Sequence, residues 1–182
     1  DKMMENPNQF EGKEVVVTVK MDGENTTMYP DFFHARSLDS RHHPSRNYVK
    51  GIHGSIKYLI PEGWRVCGEN LYAEHAIKYK NLSSYFQVFS VWTNENKCLS
   101  WVDTVNFCKK VGLEHVTAIY MGLYNESAIR EVGNKLMTKG IYGDPAEGYV
   151  VRLAESFHYN DFANSMGKCV RKGHVGNDDI HW

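Results

Sequence analysis

The first strong pattern in the chain is a block of β-branched residues, EVVVTVK from Glu14 to Lys20, which predicts a buried strand ending on a lysine. After Asp22-Gly23 the same character resumes in NTTMY, Asn25 to Tyr29, so the pair reads as two strands joined by a tight turn. FFHARS, Phe32 to Ser37, adds a short third strand before the polar, turn-rich DSRHHPSR. Between Ser45 and Leu59 the apolar residues Val49, Ile52, Ile56 and Leu59 recur at helical spacing, and an amphipathic helix is expected despite Gly51 and Gly54. WRVCGENLY (Trp64 to Tyr72) and YFQVFSVWT (Tyr85 to Thr93) return to strand, the second running into a turn at Asn94 to Lys97. Ser100 with Asp103 marks a capped helix start that Gly112 closes. A further helix from Ser127 to Lys139 carries Ile129, Val132 and Leu136 on one face, and EGYVVRLA (Glu147 to Ala154) and GKCVRKG (Gly167 to Gly173) end the chain as strands. Strands at both ends with helices between them predict an α+β fold, not an alternating parallel sheet.

Composition narrows the function classes. A chain of 182 residues suits one domain, residues 1–182, with a core that needs no staples. With 21 Lys+Arg against 22 Asp+Glu the net charge is −1, so a polyanionic partner would have to be held by a local basic patch. No apolar run is long enough to cross a bilayer, and a soluble monomer without a membrane partner is expected. The four cysteines are scattered without a C-x-x-C pair, which argues against a zinc ribbon or disulfide framework and for a reducing, cytoplasmic setting. The chain begins on Asp1 without a signal-peptide pattern, and the expectation is a fragment of a longer protein.

The chemistry begins at Lys20. At a strand end the preceding residues are locked by pairing and the side chain can be aimed into a cleft, where a neutral amine is a useful nucleophile. Asp22 and Gly23 suit a turn that brings backbone close to a ligand. Taken alone, K-M-D-G favours a solvated lysine before an ordinary Asp-Gly hairpin. Its company along the chain raises it: HARS with Arg36, CGENLY with Glu69, YFQVFSV with Phe89, EGYVVR with Glu147, and KCVRK with Lys168, Arg171 and Lys172. In this order the stretches resemble the motifs of the covalent nucleotidyltransferase superfamily, the ATP-dependent ligases and mRNA capping enzymes. The closest resemblance is to RNA ligases of the RNA ligase 2 type, and it extends from about Val15 to Lys172.

That resemblance implies an adenylation domain built from antiparallel sheets with flanking helices and an ATP cleft between them. Lys20 would attack the α-phosphate of ATP and become lysyl-AMP, AMP would move to the 5′-phosphate of an RNA end, and a 3′-hydroxyl would displace it to seal the strand. Val19, Asp22 and Gly23 would border the nucleotide with Lys20. Glu69 would accept from the ribose hydroxyls, Phe89, with Phe86 as the alternative ring, would stack on adenine, and Glu147 would hold Mg²⁺ or Mn²⁺ near the α-phosphate. Arg36, Lys168 and either Arg171 or Lys172 would contact phosphates. Related ligases carry two lysines one residue apart, whereas here Lys168-Cys169-Val170-Arg171-Lys172 leaves the second cation open, since strand alternation puts Lys168 and Lys172 on one face and Arg171 on the other.

Other readings stay open. DNA ends or GTP-dependent capping would suit the same scaffold, as would a nucleic-acid-binding module that has lost the chemistry. An intact Lys20, Glu69, Glu147 and Lys168 speak against the last. The chain leaves no room after its last motif for the C-terminal accessory domain usual in such ligases, so self-adenylation is expected more firmly than sealing. His34, His42, His43, His174 and His181 show no familiar zinc spacing, and Arg41, His42, His43 and Arg46 read as a polar loop, either bordering the site or merely solvated.

Overall fold

Two sheets face one another in the computed structural model of the chain, which describes residues 7–35, 44–73 and 79–171. The elements follow in the order β1 (Glu14–Lys20), β2 (Glu24–Met28), β3 (Phe33–Ala35), α1 (Pro44–Ile56), β4 (Arg65–Asn70), β5 (Phe86–Trp92), β6 (Lys97–Cys98) and α2 (Trp101–Val111). They continue with β7 (Glu114–His115), β8 (Ala118–Leu123), α3 (Glu126–Lys139), β9 (Gly148–Leu153), β10 (Phe157–His158), α4 (Phe162–Ser165) and β11 (Met166–Val170). The first sheet has the order β11-β9-β1-β8 and is antiparallel throughout. The second runs β10-β6-β5-β4-β2-β3, with β7 added parallel to β5. The α+β class and the antiparallel sheets with helices on their flanks are as expected.

Helices cover the outer faces. Val49 and Ile56 of α1 and Cys108 of α2 pack with Met28, Val66, Phe86, Val88 and Val91 on the outer side of the second sheet. Ile129 and Leu136 of α3 join the cluster that contains Val17, Val19 and Tyr149 of the first. The helix ends follow the sequence signals: Ser100 Oγ accepts from the Asp103 N–H at the start of α2, and Gly112, at φ 80°, closes it. The start of α3 is capped by Asn125.

The expected hairpin between Lys20 and Asn25 does not form. β1 pairs with β8 and β9, whereas β2 pairs with β3 and β4, so the two strands belong to different sheets. The reason lies in the burial of β1, where every residue from Val15 to Lys20 is buried; such a strand belongs in the middle of a covered sheet, not on one arm of a half-solvated hairpin. Met21 to Gly23 therefore carry the chain from one sheet to the other. A Cβ at Gly23 would lie 2.4 Å from the Asn70 carbonyl oxygen and 2.8 Å from Leu71 Cδ2, so only glycine lets this crossing press against the end of β4.

At the opposite end the sandwich is pinned by Arg152. Its guanidinium donates from Nη2 to the Leu99 carbonyl at 2.7 Å, reaches Cys98 Sγ at 3.6 Å, and lies 5.3 Å over the Phe157 ring. One side chain on β9 thus ties the first sheet to β6 and β10 of the second.

Candidate nucleotide-binding site

Two chain crossings frame the Lys20 end. The first is Met21 to Gly23; the second follows β7, where Val116 N–H donates to Val88 O in one sheet and Thr117 O accepts from Val19 N–H in the other. Val19, Lys20, Met21, Asn25, Glu69, Phe89 and Val116 line the pocket between them. Its free space is only about 10 Å³, with the polar groups of Lys20, Asn25 and Glu69 in its wall.

Lys20 is one of those groups. Its Nζ lies 3.0 Å from Glu147 Oε1, with side-chain exposures of 6% and 2%. Pairing of β1 with β9 sets this contact: Lys20 sits opposite Gly148, one residue beyond Glu147. The carboxylate favours the charged form of the amine, and burial of both groups opposes it.

Glu69 belongs to the same cluster through β4. Its Oε1 accepts from the Gly23 N–H at 3.0 Å, so the crossing after Lys20 is held by the carboxylate three residues into the CGENLY stretch. Asp22 N–H donates to the hydroxyl of Tyr79 at 2.5 Å. Burial pushes the Tyr79 phenol well above its ordinary value, and the charges of Asp22, Glu147 and Glu69 push the same way against the opposing hydrogen bond from Asp22. Tyr79 is therefore a neutral phenol set among three carboxylates. Nothing in its local sequence, a tyrosine between two lysines, marks it out.

The two candidate rings separate cleanly. Phe89 lines the Lys20 pocket, while Phe86 packs into the α1 side of the second sheet. A register shift between Cys67 and Gly68 lies beside them in the pairing of β4 with β5.

Lys168 is brought to the same face as Lys20. Lys168 pairs with Val150 and Val150 with Thr18, two residues before Lys20, so alternation points Thr18, Lys20 and Lys168 to one side of the sheet. No bulge interrupts β11, and Cys169 consequently faces α3, where it lines a groove with Tyr149, Ile129 and Met137. Arg171 follows the strand, half-buried, its N–H donating to the Glu147 carbonyl at 2.9 Å. Arg36, Lys172, Arg41, His42, His43, His174 and His181 lie outside the described residues. Arg46 falls in α1, 3.9 Å from Glu24. Among the described residues no three His, Cys, Asp or Glu side chains gather as a ready-made metal cage. A metal here would meet Glu147 and draw its other ligands from phosphate and water, a donor set that suits a hard divalent ion.

A family model described as RNA ligase matches residues 13–170. No curated protein sequence matches the chain. Among solved structures, a Naegleria gruberi RNA ligase with PPi superimposes with a TM-score of 0.63 at 18% identity, covering 90% of this chain and 51% of that one. A Naegleria gruberi RNA ligase mutant with AMP and Mn gives 0.67 at 16% identity, covering 93% and 55%. An archaeal ATP-dependent RNA ligase gives 0.64 at 15% identity, covering 91% and 45%. The chain spans about half the length of these structures, and at such identity the likeness is one of fold.

Proposed function

The chain belongs to the RNA ligase family, and on that footing we propose that it is the adenylyltransferase part of an ATP-dependent RNA ligase of the RNA ligase 2 type. Lys20 Nζ attacks the α-phosphorus of ATP; an N–P bond forms, the P–O bond to pyrophosphate breaks, and pyrophosphate departs. AMP then passes to the 5′-phosphate of an RNA end, with a P–O bond forming as the N–P bond breaks. Attack by a 3′-hydroxyl releases AMP and seals the strand.

One observation carries the reading: the buried Lys20 meets Glu147 at 3.0 Å in the pocket wall shared with Glu69 and Phe89. A solvated hairpin lysine would have no such setting. Displacement at phosphorus asks the protein for alignment and charge neutralisation. Glu69, now holding the Gly23 N–H, is the acceptor for the ribose hydroxyls, and Phe89 offers the adenine a ring face. Lys168 faces the same side as Lys20 and takes the α-phosphate, with Arg36 and either Arg171 or Lys172 on the remaining phosphate oxygens. Mg²⁺ or Mn²⁺, held by Glu147, supplies neutralisation of phosphate charge when bound. The nucleophile is the neutral amine, whereas the Glu147 carboxylate 3.0 Å away favours the charged one.

The test is incubation with α-labelled ATP or GTP and Mg²⁺, followed by a denaturing gel. Label retained from ATP and lost in Lys20→Ala supports the ligase. Label from GTP points to capping, and no label from either nucleotide overturns the reading. Joining assays on nicked and single-stranded RNA and DNA then define the ends used.

A further inference from the structure

A second and larger cavity continues along the inner face of the second sheet. It encloses about 340 Å³, within the roughly 300–1,000 Å³ usual for small-ligand sites. Asn25 lines both this cavity and the Lys20 pocket, so the two meet at one side chain. Register makes them continuous: Asn25 lies opposite Glu69 and Thr27 opposite Cys67, which turns the cavity floor and the Glu69 carboxylate to one face.

The walls are aromatic and partly open to solvent. On one side the wall is Tyr29, backed by Phe32 with centroids 4.6 Å apart and planes 17° from parallel. On the other, Trp92 meets Tyr159 at 5.6 Å and Phe162 at 6.2 Å, with Tyr159 47% exposed. Such rims offer faces to a flat ring.

The remaining groups are polar and held in place. Arg65 lies 4.8 Å over the Trp92 ring, and its Nη2 donates to Asn96 Oδ1 at 2.8 Å. A guanidinium fixed on one side keeps further N–H donors in a fork that matches a phosphate. Thr27 and Ser90 supply hydroxyls to the floor, where Ser90 Oγ accepts from Trp92 Nε1 at 3.0 Å and Thr27 Oγ1 lies 3.7 Å from Cys67 Sγ. Ring faces, hydroxyl partners and one oriented cation together describe a nucleotide.

We infer that this cavity holds one unstacked nucleotide of the RNA strand beside the join. The inference rests on Lys20 as the adenylylated nucleophile, which is what brings a polynucleotide end up to Asn25. Single-stranded RNA is recognised by splaying bases onto aromatic side chains, and the 2′-hydroxyl is a natural partner for a floor of hydroxyls and amides.

Arg65→Ala and Tyr159→Ala test it with two readouts: labelling of Lys20 by α-labelled ATP over a range of ATP concentrations, and fluorescence anisotropy of short oligoribonucleotides. Each variant is expected to weaken oligonucleotide binding by on the order of 10-fold while Lys20 labelling keeps the wild-type dependence on ATP. Loss confined to a 5′-phosphorylated probe assigns the cavity to the 5′ end; equal loss with a 5′-hydroxyl probe assigns it to the 3′-hydroxyl strand. A parallel rise in the ATP needed for labelling would make the cavity part of the ATP site and overturn the inference. So would wild-type oligonucleotide affinity in both variants with intact melting curves. Should the wild-type chain take no label at all, the reading of Lys20 fails, and the anisotropy arm still decides the cavity separately.

Discussion

Cutting the Lys20–Glu147 pair from each side measures how firmly the proposed nucleophile is held. At 3.0 Å two unit charges attract by about 5–6 kcal/mol at an effective dielectric constant near 20, a gross figure that desolvation of both ions offsets. With side-chain exposures of 6% and 2%, removing one partner leaves the other buried, which typically costs about 3–5 kcal/mol. Both residues make further contacts, which places the expected loss toward the lower end for Lys20→Met and for Glu147→Gln. At roughly 2–4 °C per kcal/mol for a chain of this size, each variant should melt about 6–12 °C below the wild type. The double variant strands no charge and should lose less than the sum of the two. Urea unfolding without nucleotide gives all three free energies. If the single losses add to within about 0.5 kcal/mol, the two groups do not interact and the reasoning fails.

Three further outcomes are expected. Gly148→Ala should cost about 1–3 kcal/mol and depress Lys20 labelling, since its Cβ would fall 2.1 Å from the Cys169 carbonyl oxygen and force β9 from β11; unchanged melting and labelling would refute this. Gly51→Ala, in α1 with nothing within 4 Å of the new Cβ, should instead stabilise by about 0.5–1 kcal/mol, and a lower melting temperature would contradict it. Burial raises the thiols of Cys67 and Cys98 and pushes Cys108 up to about 12 from 9.0. The folded chain thus keeps protons that the unfolded chain releases: stability is complete below about pH 9 and falls between about 9 and 12. Urea midpoints measured across that range should decline, less so in Cys108→Ala, and a flat profile would count against the assignment.

Much of the fold could be read from local signals. The β-branched run ending on Lys20, the Ser100 cap and Gly112 stop of α2, and the apolar stripe of α3 each became the expected element, because each signal acts within one or two turns of chain. The short strands β6, β7 and β10 were not legible: two residues carry no period, and they exist only because a neighbouring strand offers an edge. β8 was hidden for another reason, its Met121 and Leu123 being exposed at the sheet edge where alternation predicts nothing.

For the site, Lys20, Glu69, Phe89, Glu147 and Lys168 were legible as candidates, through the resemblance that their ordered stretches carry. Which of them touch was not. The pairing of Lys20 with Glu147, the hold of Glu69 on Gly23, the placing of Phe89 and not Phe86 in the Lys20 pocket, and the contacts of Tyr79 and Arg152 all depend on strands far apart in sequence. Asp22-Gly23 shows the difference most plainly. Its composition speaks for a tight turn, but the turn it makes leads out of one sheet and into another, because a strand buried along its whole length from Val15 to Lys20 is satisfied only between β8 and β9. Local propensity sets what a segment can form; burial of its faces, available only once the other strands are in place, sets which partner it takes.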